Sequence, residues 1–275
     1  MFRGVLVIRF DRFKLTFFPV MLFFIAIVCV GCRDIELTSK RPVHDINIDG
    51  KDDDWRNTKT FFENERVAIG VFNDEHFLYL SLTPWDIGME TSIIRGGFTV
   101  WFDSRGKKKK TFGIRYPIGS KEYGLTGIER KTRDELEERL KKFAESQNEL
   151  EIIGPGEDEV RKMAISEAKE LYIEAGVGSS NGKLFYELKV PIDRDEKHPY
   201  SLVISPDGTL GLGFETGSWD VKMRDERADG KMTSTRTTGP AERNMRTQYR
   251  NVFPERYELW ADIHLAVEPA NVDNK

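Results

Sequence analysis

Two of the five tryptophans in this chain of 275 residues stand where a ring can reach a ligand. Trp85 and Trp219 each follow a stretch patterned as a strand and each precede an acid, as Pro84-Trp85-Asp86 and Ser218-Trp219-Asp220. An exposed indole stacks on the apolar C–H face of a pyranose ring, while carboxylates, amides and guanidinium groups bind the surrounding hydroxyls. Arg95, Glu215 and Asp220 are the polar groups expected beside the two rings. The competing assignment is that both indoles cap the ends of a hydrophobic core, the commoner use of an aromatic side chain. Trp55, Trp101 and Trp260 lie on or beside patterned strands and are assigned to packing.

Residues with other chemistry do not assemble into a reaction. Neither G-x-S-x-G nor H-E-x-x-H occurs, and the four histidines, His44, His76, His198 and His264, are scattered. With this many acids a glycosidase-like pair can always be drawn, so drawing one carries no information. The protein is therefore expected not to be an enzyme. Asp45-Ile-Asn-Ile-Asp-Gly50 has the order of a calcium loop, but its twelfth position is Arg56 rather than a bidentate Glu. No cofactor is expected beyond a structural calcium, for which Asp49, Asp52, Asp53 and Asp54 supply carboxylates; a solvated acidic turn is the simpler reading. Lys107 to Lys110 beside Gly106 reads as a solvated hairpin tip rather than a polyanion site.

The chain is 39% hydrophobic, 11% aromatic and 32% charged, which is a folding composition rather than a disordered one. Both cysteines, Cys29 and Cys32, close an apolar run from Phe17 to Val30 that follows Arg3, Arg9, Arg12 and Lys14. That is the layout of an export signal, and the run is short for a membrane span. Cys29-Val-Gly-Cys32 resembles a bacterial lipobox, with Cys29 where the pattern usually carries Leu. The resemblance implies cleavage before Cys32, a lipid anchor on that residue, and a mature chain outside the cytoplasm at the cell envelope. Setting aside the four basic and one acidic residues of 1–31 turns 42 and 46 into 38 and 45, a net charge of −7. An acidic exported domain is a poor partner for nucleic acid.

The elements that must position the tryptophans follow from periodicity. Residues 32–44 read as a lipidated tether, and the domain as 45–275. Ile46 and Ile48, Val67 to Val71, and Phe77 to Leu82 alternate as strands. Phe98–Phe102 and Thr111–Tyr116 form a hairpin; Leu171–Glu174, Phe185–Val190, Leu210–Phe214 and Tyr257–Ala266 complete the set. Between them, 130–170 reads as a helical insertion. Its first helix carries Leu136, Leu140 and Phe143, and a second is expected within 157–169. Residues 221–250 read as a long loop. Many short strands with turn signals predict an all-β fold, a two-sheet antiparallel β-sandwich of immunoglobulin or jelly-roll kind.

Several blocks, in order, resemble family 9 carbohydrate-binding modules. Ile48-Asp-Gly-Lys-Asp-Asp-Asp-Trp55 is similar to the family's "IDG-x-x-D-x-x-W" opening, with the Trp one place early. Val71 to Leu80 running on to Asp86, Phe98-Thr-Val-Trp-Phe-Asp103, and Gly182 to Ile192 are similar to the next three blocks. Leu212–Phe214 and Leu259–Leu265 match the closing strands. The resemblance implies a non-catalytic sandwich that binds a glycan or polysaccharide. Sugar-binding members clamp the ring between two aromatics; one place falls near Ile93, which is not aromatic, and the other on Phe253. The half-missing clamp keeps an alternative open, an envelope lipoprotein whose partner is a protein. A third reading is a haem-binding, DOMON-like electron-transfer domain, for which His76, His198, Met89 and Met223 are the available axial ligands.

Overall fold

Alternation decides which face of each strand is buried. Val67, Ile69 and Val71 on β3 (Val67–Asn73) join Leu78, Leu80 and Leu82 on β4 (Phe77–Pro84) in one core. Leu184, Tyr186, Leu188 and Val190 on β10 (Lys183–Pro191) extend it. Facing them are Phe98, Val100 and Phe102 on β5 (Phe98–Asp103), and Leu210, Leu212 and Phe214 on β11 (Thr209–Thr216). The computed structural model describes residues 35–120, 122, 132–154, 159–192, 198–217 and 256–266, and within them the two faces belong to two sheets.

The smaller sheet has the order β2-β3-β4-β10-β9, with β2 at Thr60–Phe62 and β9 at Glu174–Ser180. The larger has the order β1-β12-β11-β5-β6-β7-β8. Its further members are β1 (Ile35–Thr38), β6 (Phe112–Arg115), β7 (Glu149–Ile153), β8 (Val160–Ala164) and β12 (Glu258–His264). All pairings are antiparallel except β1 with β12. This is the expected two-sheet β-sandwich.

Among the described residues, three α-helices attach to it. α1 (Ile87–Gly96) joins β4 to β5, and Asp86 caps it by accepting from the Gly88 and Met89 N–H groups. α2 (Arg133–Ser146) begins with a capping box between Thr132 and Glu135 and buries Leu140 and Phe143. α3 (Ile165–Glu170) is a single short segment.

The segment 44–58 does not pair as a strand. It lies over the outer face of the smaller sheet, where Ile46 and Trp55 pack with Phe72, Tyr79 and Phe185 in a second cluster. Ile46 and Ile48 alternate because one side of this strap meets a sheet face, not because it enters a ladder. Glu187 fastens it: the Asp49 and Gly50 N–H groups donate to Oε2 at 3.1 and 2.7 Å, and the Trp55 indole N–H donates to Oε1 at 2.7 Å. The crossing needs glycines. A Cβ on Gly178 would stand 2.2 Å from the Gly50 carbonyl oxygen, and one on Gly70 would stand 2.7 Å from the Trp55 ring.

Other expectations change. Residues 35–38, inside the expected tether, pair with β12, and Lys40 then bridges to Phe72 of the other sheet. The second helix expected in 157–169 is replaced by β8 and the short α3, because Leu150 and Ile152 on β7 and Met163 on β8 bury alternate positions against the core. The strand expected at Leu171–Glu174 begins only at Glu174, since Leu171 and Tyr172 still close α3 through their N–H groups.

Candidate functional site

The end of the smaller sheet beyond the strap carries an exposed aromatic pair. Trp85 follows β4 and is 54% exposed; Phe61 on the edge strand β2 is 50% exposed. Their ring centroids are 5.2 Å apart, edge to face. Burial would have removed both from water at a gain of a few kcal/mol each, so a free aromatic pair is an unspent interaction surface. Backbone holds Trp85 in place: its N–H donates to the Arg66 carbonyl at 2.7 Å, which continues the β3–β4 ladder by one residue. Lys183, the first residue of β10, sets its Nζ 5.0 Å from the Trp85 ring centroid. Ile87, at the start of α1, is 67% exposed.

The acid beside Trp85 has a structural task. Asp86 caps α1 with Oδ1, and its Oδ2 accepts from Arg66 Nη1 at 2.9 Å. On the next turn, Glu90 is buried and its Oε2 accepts the Leu184 N–H at 3.2 Å. Burial pushes the Glu90 carboxyl above the usual range, against that bond and the nearby Lys183 and Arg139. Arg139 of α2 is near this carboxylate, and Arg95, in the last turn of α1, is near Arg139; burial lowers both guanidinium pKa values. Arg139 Nη2 is buried and makes no hydrogen bond.

Glu215 lies elsewhere. It is on β11 at a position facing away from the core, and so belongs to the outer face of the larger sheet, whereas Trp85 continues the outward-facing row of β4. The Trp101 indole N–H donates to Glu215 Oε2 at 2.7 Å, Lys110 Nζ lies 2.8 Å from the same oxygen, and Arg256 pairs with Oε1. Trp101 itself is buried, with its ring against Gly113. Trp85 thus stands before the first turn of α1 and Arg95 in its last, and Glu215 is in a separate ion-pair network. Trp219, Asp220, Phe253 and Cys32 lie outside the described residues.

Phe61 and Lys183 went unread in the sequence. Phe61-Phe62 is a doubled aromatic on a three-residue strand, too short for alternation to show, and Lys183 is one basic residue after the Asn181-Gly182 turn. Ile93, the place of the missing clamp ring, is fully buried in the core from α1.

The residues named for other chemistry have their own partners. Asp49 pairs with Lys51 at 2.7 Å, Asp53 with Arg56 at 2.5 Å, and Asp52 with Lys59, while Asp54 accepts the Asn47 N–H at 2.9 Å. Among the described residues no group of three or more His, Cys, Asp or Glu converges on a point where a metal ion would sit. Asp103 organises the lysine-rich turn. Burial works to raise its pKa, but the backbone N–H groups of Lys109, Arg105 and Lys107 outweigh it and leave the carboxyl below the usual range. His76 and His198 both pack edge-on against Phe77, at centroid distances of 6.3 and 5.8 Å, and Met89 is buried in the core.

No family model matches the sequence, and no curated protein matches it. Solved structures similar to the chain include a family 9 carbohydrate-binding module from Caldicellulosiruptor kristjanssonii in complex with glucose and one in complex with cellotriose. Each is 10% identical with a TM-score of 0.35; they cover 86% of this chain and 99% and 96% of their own. That is a loose likeness, and the architecture here rests on the strand order itself.

Proposed function

We propose that the protein is a non-catalytic carbohydrate-binding protein, carried outside the cytoplasm on a lipid anchor at Cys32, with Trp85 as its stacking platform. The observation that supports this most is the exposed Trp85–Phe61 pair with Lys183 beside it. An indole face takes the C–H face of a sugar, and Lys183 beside the ring is the group proposed to bind a hydroxyl at its rim. Trp219, Phe253 and Asp220 belong to this proposal as further contributors, whereas Glu215, held by Trp101, Lys110 and Arg256 on the other sheet, does not. The ordered blocks shared with family 9 modules point the same way, and glucose and cellotriose belong on any panel of trial sugars.

The test is a glycan array and polysaccharide pull-down with the full chain, solubilised in detergent. Trp85→Ala is expected to remove binding and to leave the melting temperature within about 2 °C, since the ring is half exposed. Retained affinity in that variant contradicts the assignment. The anchor is tested separately: labelled palmitate is expected in the wild-type protein and not in Cys32→Ser, and label in both rejects the anchor.

One observation favours a second reading. Ile87 extends the exposed patch with a side chain that makes no hydrogen bond to a hydroxyl, which suits an envelope protein partner better than a sugar. A blank array together with a crosslink from position 85 to one envelope protein would favour it.

A further inference from the structure

The residues in line with Trp85 bear on how long a sugar chain the site takes, an inference that rests on the carbohydrate reading above. Lys183 on β10 sets its Nζ 5.0 Å from the Trp85 ring centroid and pairs across the ladder with Ser180 on β9. Both residues face outward, in step with Phe185 and Gly178 beneath the strap. The Ser180 hydroxyl donates to Asp52 Oδ2 of the strap at 2.9 Å. Lys59, its Nζ 5.0 Å from the Phe185 ring centroid, pairs with the other oxygen of Asp52. Trp85, Lys183 and Ser180 thus form one row across three neighbouring strands, closed by Asp52, and all four are at least partly exposed.

Two properties of the row select its ligand. Charge is the first. Arg66, bonded through its carbonyl to the Trp85 N–H, is answered by Asp86 at 2.9 Å, and Lys59 by Asp52. The row therefore offers cations and carboxylates together rather than one sign. A sugar hydroxyl both donates and accepts; here Lys183 donates, Asp52 accepts, and the Ser180 hydroxyl, its proton already given to Asp52, accepts as well. Spacing is the second. Neighbouring strands lie about 4.8 Å apart, close to the advance of one pyranose unit along an extended chain. Two strand steps therefore carry a chain from the indole to Ser180.

We propose that the Trp85 site extends across β10 to β9 and takes about three consecutive rings of a linear, uncharged glycan, the first on the indole and the third against Ser180 and Asp52. Lys183 serves the ring between them. The strap contributes to the site directly through Asp52, a task beyond covering the aromatic cluster beneath it.

The test is isothermal titration of the full chain in detergent with glucose, cellobiose, cellotriose, cellotetraose and tetragalacturonate. Affinity is expected to rise at each step up to cellotriose, by about tenfold or more overall, and to change little with the fourth ring. Cellotetraose is expected to bind more tightly than tetragalacturonate, which carries a charge on every ring. Ser180→Ala and Asp52→Asn are each expected to cost cellotriose about threefold or more and cellobiose less, so that the gain from the third ring disappears. Glucose and cellotriose binding equally per ring, both lost in Trp85→Ala, overturn the extended site and leave the carbohydrate reading standing. A chain-length gain that survives both Ser180→Ala and Asp52→Asn overturns the path toward β9. Tighter binding of tetragalacturonate than of cellotetraose overturns the uncharged ligand. No binding of any of the five sugars removes both proposals.

Discussion

Glu187 shows how one carboxyl holds a whole segment. It is fully buried on β10 and receives three N–H groups from the strap. Burial pushes its pKa up to about 7 from an ordinary 4.5, with the Asp49 charge adding to the rise and the Trp55 and Gly50 bonds opposing it. The folded state therefore holds this proton more tightly than the unfolded chain does. The resulting stability is fully present below about pH 4.5 and is lost as the pH rises through about 7. Urea unfolding at stepped pH should show a decline across that window of up to about 3 kcal/mol, which Glu187→Gln abolishes. A slope that persists in the glutamine variant assigns it to another group. Residue roles of this kind were only partly legible. Trp55 was read as structural and is buried against Glu187, but no pattern announced that its partner lies 132 positions away. Trp85 was legible from its place after a strand; Phe61 and Lys183 become visible only once β2 and β10 are laid beside it.

At the scale of elements, alternation was informative for the strands at the centre of the two sheets. β3, β4, β5, β10 and β11 each bury every second side chain in one core, and each was readable. Edges and crossings were not. α1 follows β4 with only Trp85 and Asp86 between, and Gly88, Gly96 and Gly97 hide its period; its cap is the acid beside Trp85. β7 and β8 sit beside a Pro-Gly pair in a charge-rich stretch, so two short strands were read as helix. The strap shows the converse, alternation without a ladder. Its passage depends on the absence of side chains on β9. Gly178→Ala drives a Cβ to 2.2 Å from the Gly50 oxygen, a clash with backbone that no rotamer relieves. A loss of about 1–3 kcal/mol is expected, with faster trypsin cleavage at Lys51 as the strap lifts. Unchanged stability and cleavage contradict the described crossing.

For the whole molecule, the two outer faces differ in what they offer. The larger sheet presents Trp101, buried over Gly113, and ion pairs that join Glu215 and Glu258 through Lys110. The smaller sheet is covered at its middle by the strap and left open at one end, where Phe61, Trp85 and Ile87 are exposed. The proposed sugar, which needs a bare ring, is therefore assigned to that end. The most direct measurement uses the indole N–H signals of a ¹⁵N-labelled protein during titration with cellotetraose and tetragalacturonate. The Trp85 signal, assigned by its loss in Trp85→Phe, is expected to move with saturating sugar. Those of Trp55 and Trp101, tied to Glu187 and Glu215, are expected to stay in place. Saturable movement of the Trp101 or Trp260 signal with Trp85 unmoved would put the ligand on the other sheet and contradict the proposed site.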